Sequence, residues 1–163
     1  MLHPENNIIA QIIAGGVGGA VKNGYNISLK NVHRCLLVCI IEQGADATQT
    51  TISPKQSSSG AGTAVGTDEK ALTNNVNIYY NENCVTSNLL TKGTAAKTYQ
   101  TDVNVSRTKM VIFDIVPAEC MDIANGYDVL CVNTTDPAAA NSLICIAILD
   151  PVRFAPLPTV FAD

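Results

Sequence analysis

Every residue from Cys35 to Ile41 (CLLVCII) is apolar. A run of this length suits a β-strand and is short for a helix. Because an extended chain sends alternate side chains to opposite faces, such a strand is apolar on both and needs cover on both. The sequence therefore predicts a layered protein with this strand at the centre of a sheet. An opposing sheet would cover one face, and a loop, arm or neighbouring subunit the other.

Shorter strand signals surround it. Asn26 to Val32 alternates Ile27, Leu29 and Asn31 with Ser28 and Lys30, which predicts an amphipathic strand. Gly44-Ala45-Asp46 turns the chain into the β-branched stretch Thr48 to Ser53, and Pro54 places the end of that strand at an edge or a bulge. Ser57 to Asp68 (SSSGAGTAVGTD) reads as a loop over the surface. Strands are predicted again at Val76 to Tyr80, Tyr99 to Val105 and Met110 to Val116, with direction changes at Lys92-Gly93 and Ser106-Arg107. Pro117-Ala118-Glu119 starts a single helical turn before Asp122. Tyr127 to Val132 and Leu143 to Leu149 read as two paired strands joined by a surface loop over Asn133 to Ser142. Roughly eight or nine strands separated by polar turns predict an all-β chain, a single β-sandwich or jelly-roll domain.

The ends differ from this body. Residues 1–24 carry IIAQIIA and then the glycine-dense GGVGGAVKNG, which reads as an N-terminal arm. Its Ile8, Ile9, Ile12 and Ile13 have helix-like spacing but are also strand-compatible. The sandwich is expected over residues 25–150. Residues 151–163 (PVRFAPLPTVFAD), too rich in proline for a ladder, read as an extended C-terminal tail. Ile8, Ile9, Ile12, Ile13, Phe154 and Phe161 are the candidate contacts to a neighbouring subunit or to the surface on which the protein sits.

Composition supports burial between subunits. The chain of 163 residues is 47% hydrophobic and 15% charged, with mean hydropathy +0.18, which is more apolar surface than a solitary domain usually carries. A net charge of −4, with its ten basic residues spread thinly, offers no footprint for a phosphate backbone, so no nucleic acid partner is expected. The N-terminus MLHPENN lacks a basic leader region, and Ile8 to Val21 is interrupted by Gln11 and glycines. It is therefore expected to be neither a signal sequence nor a membrane span, and no membrane partner is expected.

The search for chemistry finds little. Cys35, Cys39, Cys131 and Cys145 fall in apolar strand runs, where a thiol behaves as a small hydrophobe. Cys84 and Cys120 lie beside loop signals and are candidates for a disulfide to each other or between subunits. No C-x-x-C spacing or metal-ligand cluster occurs. His3 and His33 have no nucleophile motif beside them, and Gly16 and Gly18 begin a G-x-G-x-x-G spacing that Val21 breaks. Asp114, Glu119, Asp122 and Asp128 lack EF-hand spacing and read as an acidic rim. Asp128, after Asn125-Gly126, is placed for its carboxylate to accept turn amides. Tyr79 and Tyr80 should point to opposite faces. The sequons at Asn26, Asn104 and Asn133 carry meaning only in a secretory pathway. No cofactor, no metal and no enzymatic activity are expected.

Residues Ala124 to Phe154 carry a resemblance. Ala124-Asn125-Gly126-Tyr127-Asp128, then the Ala-rich turn Ala138 to Asn141, then the pair Arg153-Phe154 resemble the head decoration, or capsid cement, proteins of tailed bacteriophages. Further matches lie at Ile41-Glu42-Gln43-Gly44, Lys55-Gln56, Gly66 to Leu72, and Val111 to Ile115 before Pro117, so the likeness spans about residues 32–154. These motifs are turns and strand edges and carry over no catalytic or binding residues. The resemblance implies a virion structural protein on the capsid exterior. Its partners would be the major capsid protein and copies of itself in a homotrimer. The alternatives are a virion-surface module that binds carbohydrate or a receptor through Ser57 to Asp68 and Val85 to Ala96, and a tail or neck component. Carbohydrate sites usually show exposed aromatics, and this chain has five Tyr, three Phe and no Trp.

Overall fold

A computed structural model describes residues 8–13, 22–44, 49–61, 68–103, 107–135 and 141–151. They form two antiparallel sheets, in agreement with the all-β sandwich expected. The first contains, in spatial order, β1 (Ile8–Ile13), β12 (Ser142–Pro151), β4 (Val32–Gln43), β10 (Arg107–Ile115), β7 (Asn77–Asn81) and β8 (Thr91–Lys92). The second runs β2 (Lys22–Asn23), β11 (Val129–Thr135), β5 (Thr51–Ser57) and β6 (Lys70–Ala71). Two short strands flank it, β3 (Ile27–Ser28) against β11 and β9 (Tyr99–Gln100) against β5.

The apolar run Cys35–Ile41 lies in β4, between β12 and β10. Its register stacks side chains into rows across the sheet. Cys39 stands between Val111 and Cys145, Leu37 between Phe113 and Ala147, and Cys35 between Ile115 and Leu149. All nine are buried, and they pack in one core with Ile27, Ile52, Leu130 and Val132 of the second sheet and with Leu29, which follows β3. Each large aliphatic or aromatic side chain so buried contributes about 1.5–3 kcal/mol. The alternate rows face outward: Ile40 between Met110 and Ile144, and Val38 between Ile112 and Ile146. They are half-buried, apart from the exposed Ile144.

A polar cluster closes one end of the core. The Thr101 hydroxyl donates to Gln43 Oε1 at 3.2 Å and accepts from the Thr50 N–H at 3.0 Å, and Asn141 Oδ1 accepts from the Gly44 N–H at 2.9 Å. All four side chains are fully buried, and pairing them with one another avoids the cost of burying unpaired polar groups. At the other end Pro117–Cys120 forms the single helical turn α1, followed by a 3₁₀ turn at Ile123–Asn125.

Several expectations are corrected. Tyr127–Val132 and Leu143–Leu149 do not pair. β11 belongs to the second sheet and β12 to the first, so the chain between them changes sheets. Asn26–Val32 is not one strand, because Asn31 adopts φ 62° and turns the chain after the two residues of β3; asparagine tolerates this left-handed region better than most residues. Pro54 does not end its strand. It lies inside β5 opposite Val132, while on the other side β9 pairs at Thr51 and Ile52 and β6 at Lys55 and Gln56. Pro54 falls in the gap between them, where its missing N–H removes no ladder bond. Of the segment read as an arm, Ile8–Ile13 runs antiparallel to β12 at the edge of the first sheet.

Candidate functional site

The β7–β8 connection, residues 82–90, is the most distinctive surface feature. It presents Val85 (74% exposed), Leu89 (75%) and Leu90 (44%) to solvent, and Cys84 to Leu89 line a shallow recess. Apolar side chains scattered singly over a surface are ordinary, whereas three exposed within residues 85–90 of one loop make that loop the candidate interaction site.

The loop is held by its own hydrogen bonds. Asn81, buried at the end of β7, donates from Nδ2 to the Ser87 carbonyl at 2.7 Å and accepts the Asn83 N–H at its Oδ1 at 2.9 Å. The Cys84 N–H donates to the Thr108 carbonyl of β10 at 2.9 Å, and the Ser87 N–H to the Asn83 carbonyl at 3.1 Å. The Ser87 hydroxyl accepts the Leu89 N–H at 3.2 Å.

A charged cluster anchors the loop from beneath. Lys109 of β10 is fully buried, and its ammonium lies 3.2 Å from Glu82 Oε2, where the loop begins. The same ammonium pairs with the Asp102 carboxylate and donates to the Asp102 carbonyl at 3.0 Å. The Tyr99 hydroxyl donates to Glu82 Oε1. Burial, with this carboxylate beside it, raises the Tyr99 pKa and keeps the phenol protonated. Tyr80 packs on Tyr99 with ring centroids 5.2 Å apart. The loop is therefore held in shape by contacts within the chain, the kind of preorganisation that lowers the entropy any binding would cost.

The other candidates are scattered. Tyr79 is half-buried on the outer face of its sheet, opposite Ile112, while Tyr80 packs against the core. The acidic residues near the C-terminal half serve structure: Asp114 receives a bidentate pair from Arg34, with both contacts at 2.6 Å, and Asp122 pairs with Lys70 at 2.7 Å. Asp128 donates its N–H to the Gly126 carbonyl at 3.1 Å within its turn, and its own carbonyl accepts the Leu29 N–H at 2.7 Å. His33 is exposed near the start of β4. Among the described residues, no group of three or more His, Cys, Asp or Glu is placed to hold a metal ion. No helix among them is long and apolar enough to cross a membrane.

Cys84 sits half-exposed on the loop. Cys120 is 2% exposed and its thiol donates to the Val116 carbonyl at 3.2 Å, so reaching a neighbouring subunit would require α1 to open. Of the candidate contacts, Ile8, Ile9, Ile12 and Ile13 lie in edge strand β1, while Phe154 and Phe161 lie outside the described residues. Sequence reading placed Val85, Leu89 and Leu90 within the loop Val85 to Ala96 of the alternative carbohydrate- or receptor-binding reading without singling them out, although three aliphatic residues in an Asn-, Ser- and Thr-rich stretch were the available signal. It missed Lys109, which shares the inward parity of Val111 and Phe113.

No protein-family model matches the chain, and no curated protein matches it. Among solved structures, the crystal structure of the SPBc2 prophage-derived protein YomS is similar over 88% of this chain and 91% of that one, with a TM-score of 0.46 and 11% identity. That likeness is too distant to bear on function.

Proposed function

We propose that this chain is a non-enzymatic structural protein of a tailed-phage virion, one that decorates the capsid exterior and stabilises it by bridging major capsid protein subunits. The observation that carries this reading is the hydrogen-bonded loop 82–90, on which Val85, Leu89 and Leu90 are exposed. Exposed apolar side chains on a hydrogen-bonded loop suit docking against a protein partner, where a few well-packed residues supply most of the binding energy. The likeness of Ala124 to Phe154 to phage decoration proteins and the high apolar content support the same assignment.

Stabilisation in this reading is additive. Each subunit touches more than one capsid protein, and a specific contact buries roughly 1,000 Å² or more. In a homotrimer three such loops act together, so one docked loop raises the effective concentration of the others.

The test is co-sedimentation of the purified chain with undecorated phage heads. The wild type is expected to pellet with the heads. The variant V85S/L89S is expected to stay in the supernatant while keeping the wild-type unfolding midpoint, since exposed substitutions usually shift stability by less than about 0.5 kcal/mol. Equal pelleting of the variant would remove the loop from the interface, and a wild type that does not pellet would contradict decoration itself.

A further inference from the structure

Cys39 of β4 and Cys145 of β12 are directly opposed across the antiparallel ladder, with Sγ atoms 2.9 Å apart and both side chains fully buried. We propose that this pair is the site of an intrachain disulfide, made by exchange with a small-molecule disulfide of the glutathione class before β12 is laid against β4. Directly opposed residues on antiparallel strands have Cα atoms about 4.5–5.5 Å apart, within the roughly 4.4–6.8 Å that a disulfide spans. The register on either side is pinned by Ile41 opposite Leu143 and Leu37 opposite Ala147. None of the other cysteines is so placed: Cys35 faces Leu149 and Ile115 across its neighbouring strands, Cys131 faces Lys55 in the second sheet, Cys120 is in α1 and Cys84 is on the loop.

The exchange has two steps. One cysteine thiolate attacks a sulfur of the small disulfide, forming a mixed disulfide and releasing one small thiolate. The second cysteine thiolate then attacks the protein sulfur of that mixed bond, forming the intrachain bond and releasing the second small thiolate. One small disulfide is reduced to two thiols, which take the two protons that the cysteines lose. Full burial of both sulfurs shields them from any oxidant in the folded chain, and burial, reinforced by the hydrogen bond with Cys145, also holds Cys39 as a neutral thiol. Exchange therefore belongs to the unfolded or opened chain, and the folded product is shielded from reductant in the same way. The bond would join positions 106 residues apart in sequence, locking β12, and β1 beyond it, to the central strand.

The test starts from reduced chain unfolded in guanidinium chloride. It is diluted into native buffer with reduced and oxidised glutathione, quenched in acid, denatured and alkylated with N-ethylmaleimide. Mass spectrometry is expected to show four of the six cysteines alkylated and a proteolytic fragment joining the Cys39 and Cys145 segments. Six alkylated cysteines, or a link between any other pair, would overturn the proposal. The C39A/C145A chain treated in parallel is expected to have all its remaining cysteines alkylated, and an intrachain link formed there in the wild-type yield would equally count against it.

Discussion

Lys109 Nζ lies 3.2 Å from Glu82 Oε2, and the lysine side chain is wholly buried. A buried cation survives in a β-sandwich only when its partners come with it, and here Asp102 is the second. Lys109→Met would leave Glu82 and Asp102 beside each other with the cation removed. Breaking a buried pair in this way costs about 3 kcal/mol, and the measurement is the urea midpoint at constant slope. A loss of less than about 1 kcal/mol would show that the cluster does not hold the base of the loop.

Asp68 accepts hydrogen bonds from the hydroxyls of Ser57 and Ser58 and from the Ser58 N–H at 3.0 Å. These donors, the Ser57 hydroxyl first, lower its pKa from 3.8 to about 2. A carboxylate with a depressed folded pKa adds stability that is fully present above its unfolded value and is lost as pH falls through the folded one. The contribution of Asp68 should therefore fade between about pH 4 and pH 2. Carboxyl NMR titration of the native chain should place the Asp68 midpoint near 2, and Ser57→Ala should move it towards 3.8. A native midpoint already at 3.8 would contradict the arrangement.

Gly126 ends the 3₁₀ turn with φ 82°, and no atom outside its neighbours lies within 4 Å of where a Cβ would stand. Space is therefore no obstacle, and the cost of a side chain is the left-handed backbone alone. Gly126→Ala is expected to lower stability by about 1 kcal/mol, and Gly126→Asn by less, because asparagine visits this region more readily. Equal stability of the alanine variant, by thermal or urea unfolding, would show that the turn can relax.

In the reduced folded chain Cys84 is the one cysteine that is not buried. Titration with a chromogenic aromatic disulfide should therefore modify a single thiol under native conditions and all six after denaturation. Burial, and after it the Glu82 carboxylate, raises the Cys84 pKa, so its reaction should be slow at neutral pH and quicken as pH rises. Rapid native reaction of a second thiol would show that one of the buried cysteines is accessible.

What the sequence made legible was local pattern. The apolar run Cys35–Ile41 announced a central strand, Pro117 announced a helical turn, and adjacent Tyr79 and Tyr80 announced opposite faces. Pairing between distant segments was not legible. Tyr127–Val132 and Leu143–Leu149 looked like partners because they were neighbours in sequence, yet each is apolar enough to be central in its own sheet, and periodicity names a strand's faces without naming its partner. The same limit hid the Cys39–Cys145 contact, which depends on register across 106 residues. Lys109 was hidden differently, since its charge argued for the surface while its place in the alternation with Val111 and Phe113 argued for the core. The alternation prevailed because Glu82 and Asp102 were there to meet it.

The most direct test of the decoration assignment is electron cryomicroscopy of undecorated phage heads mixed with the purified chain. The assignment predicts regular added density on the capsid exterior, with loop 82–90 facing the capsid surface. Heads that remain bare at saturating protein concentration would contradict it.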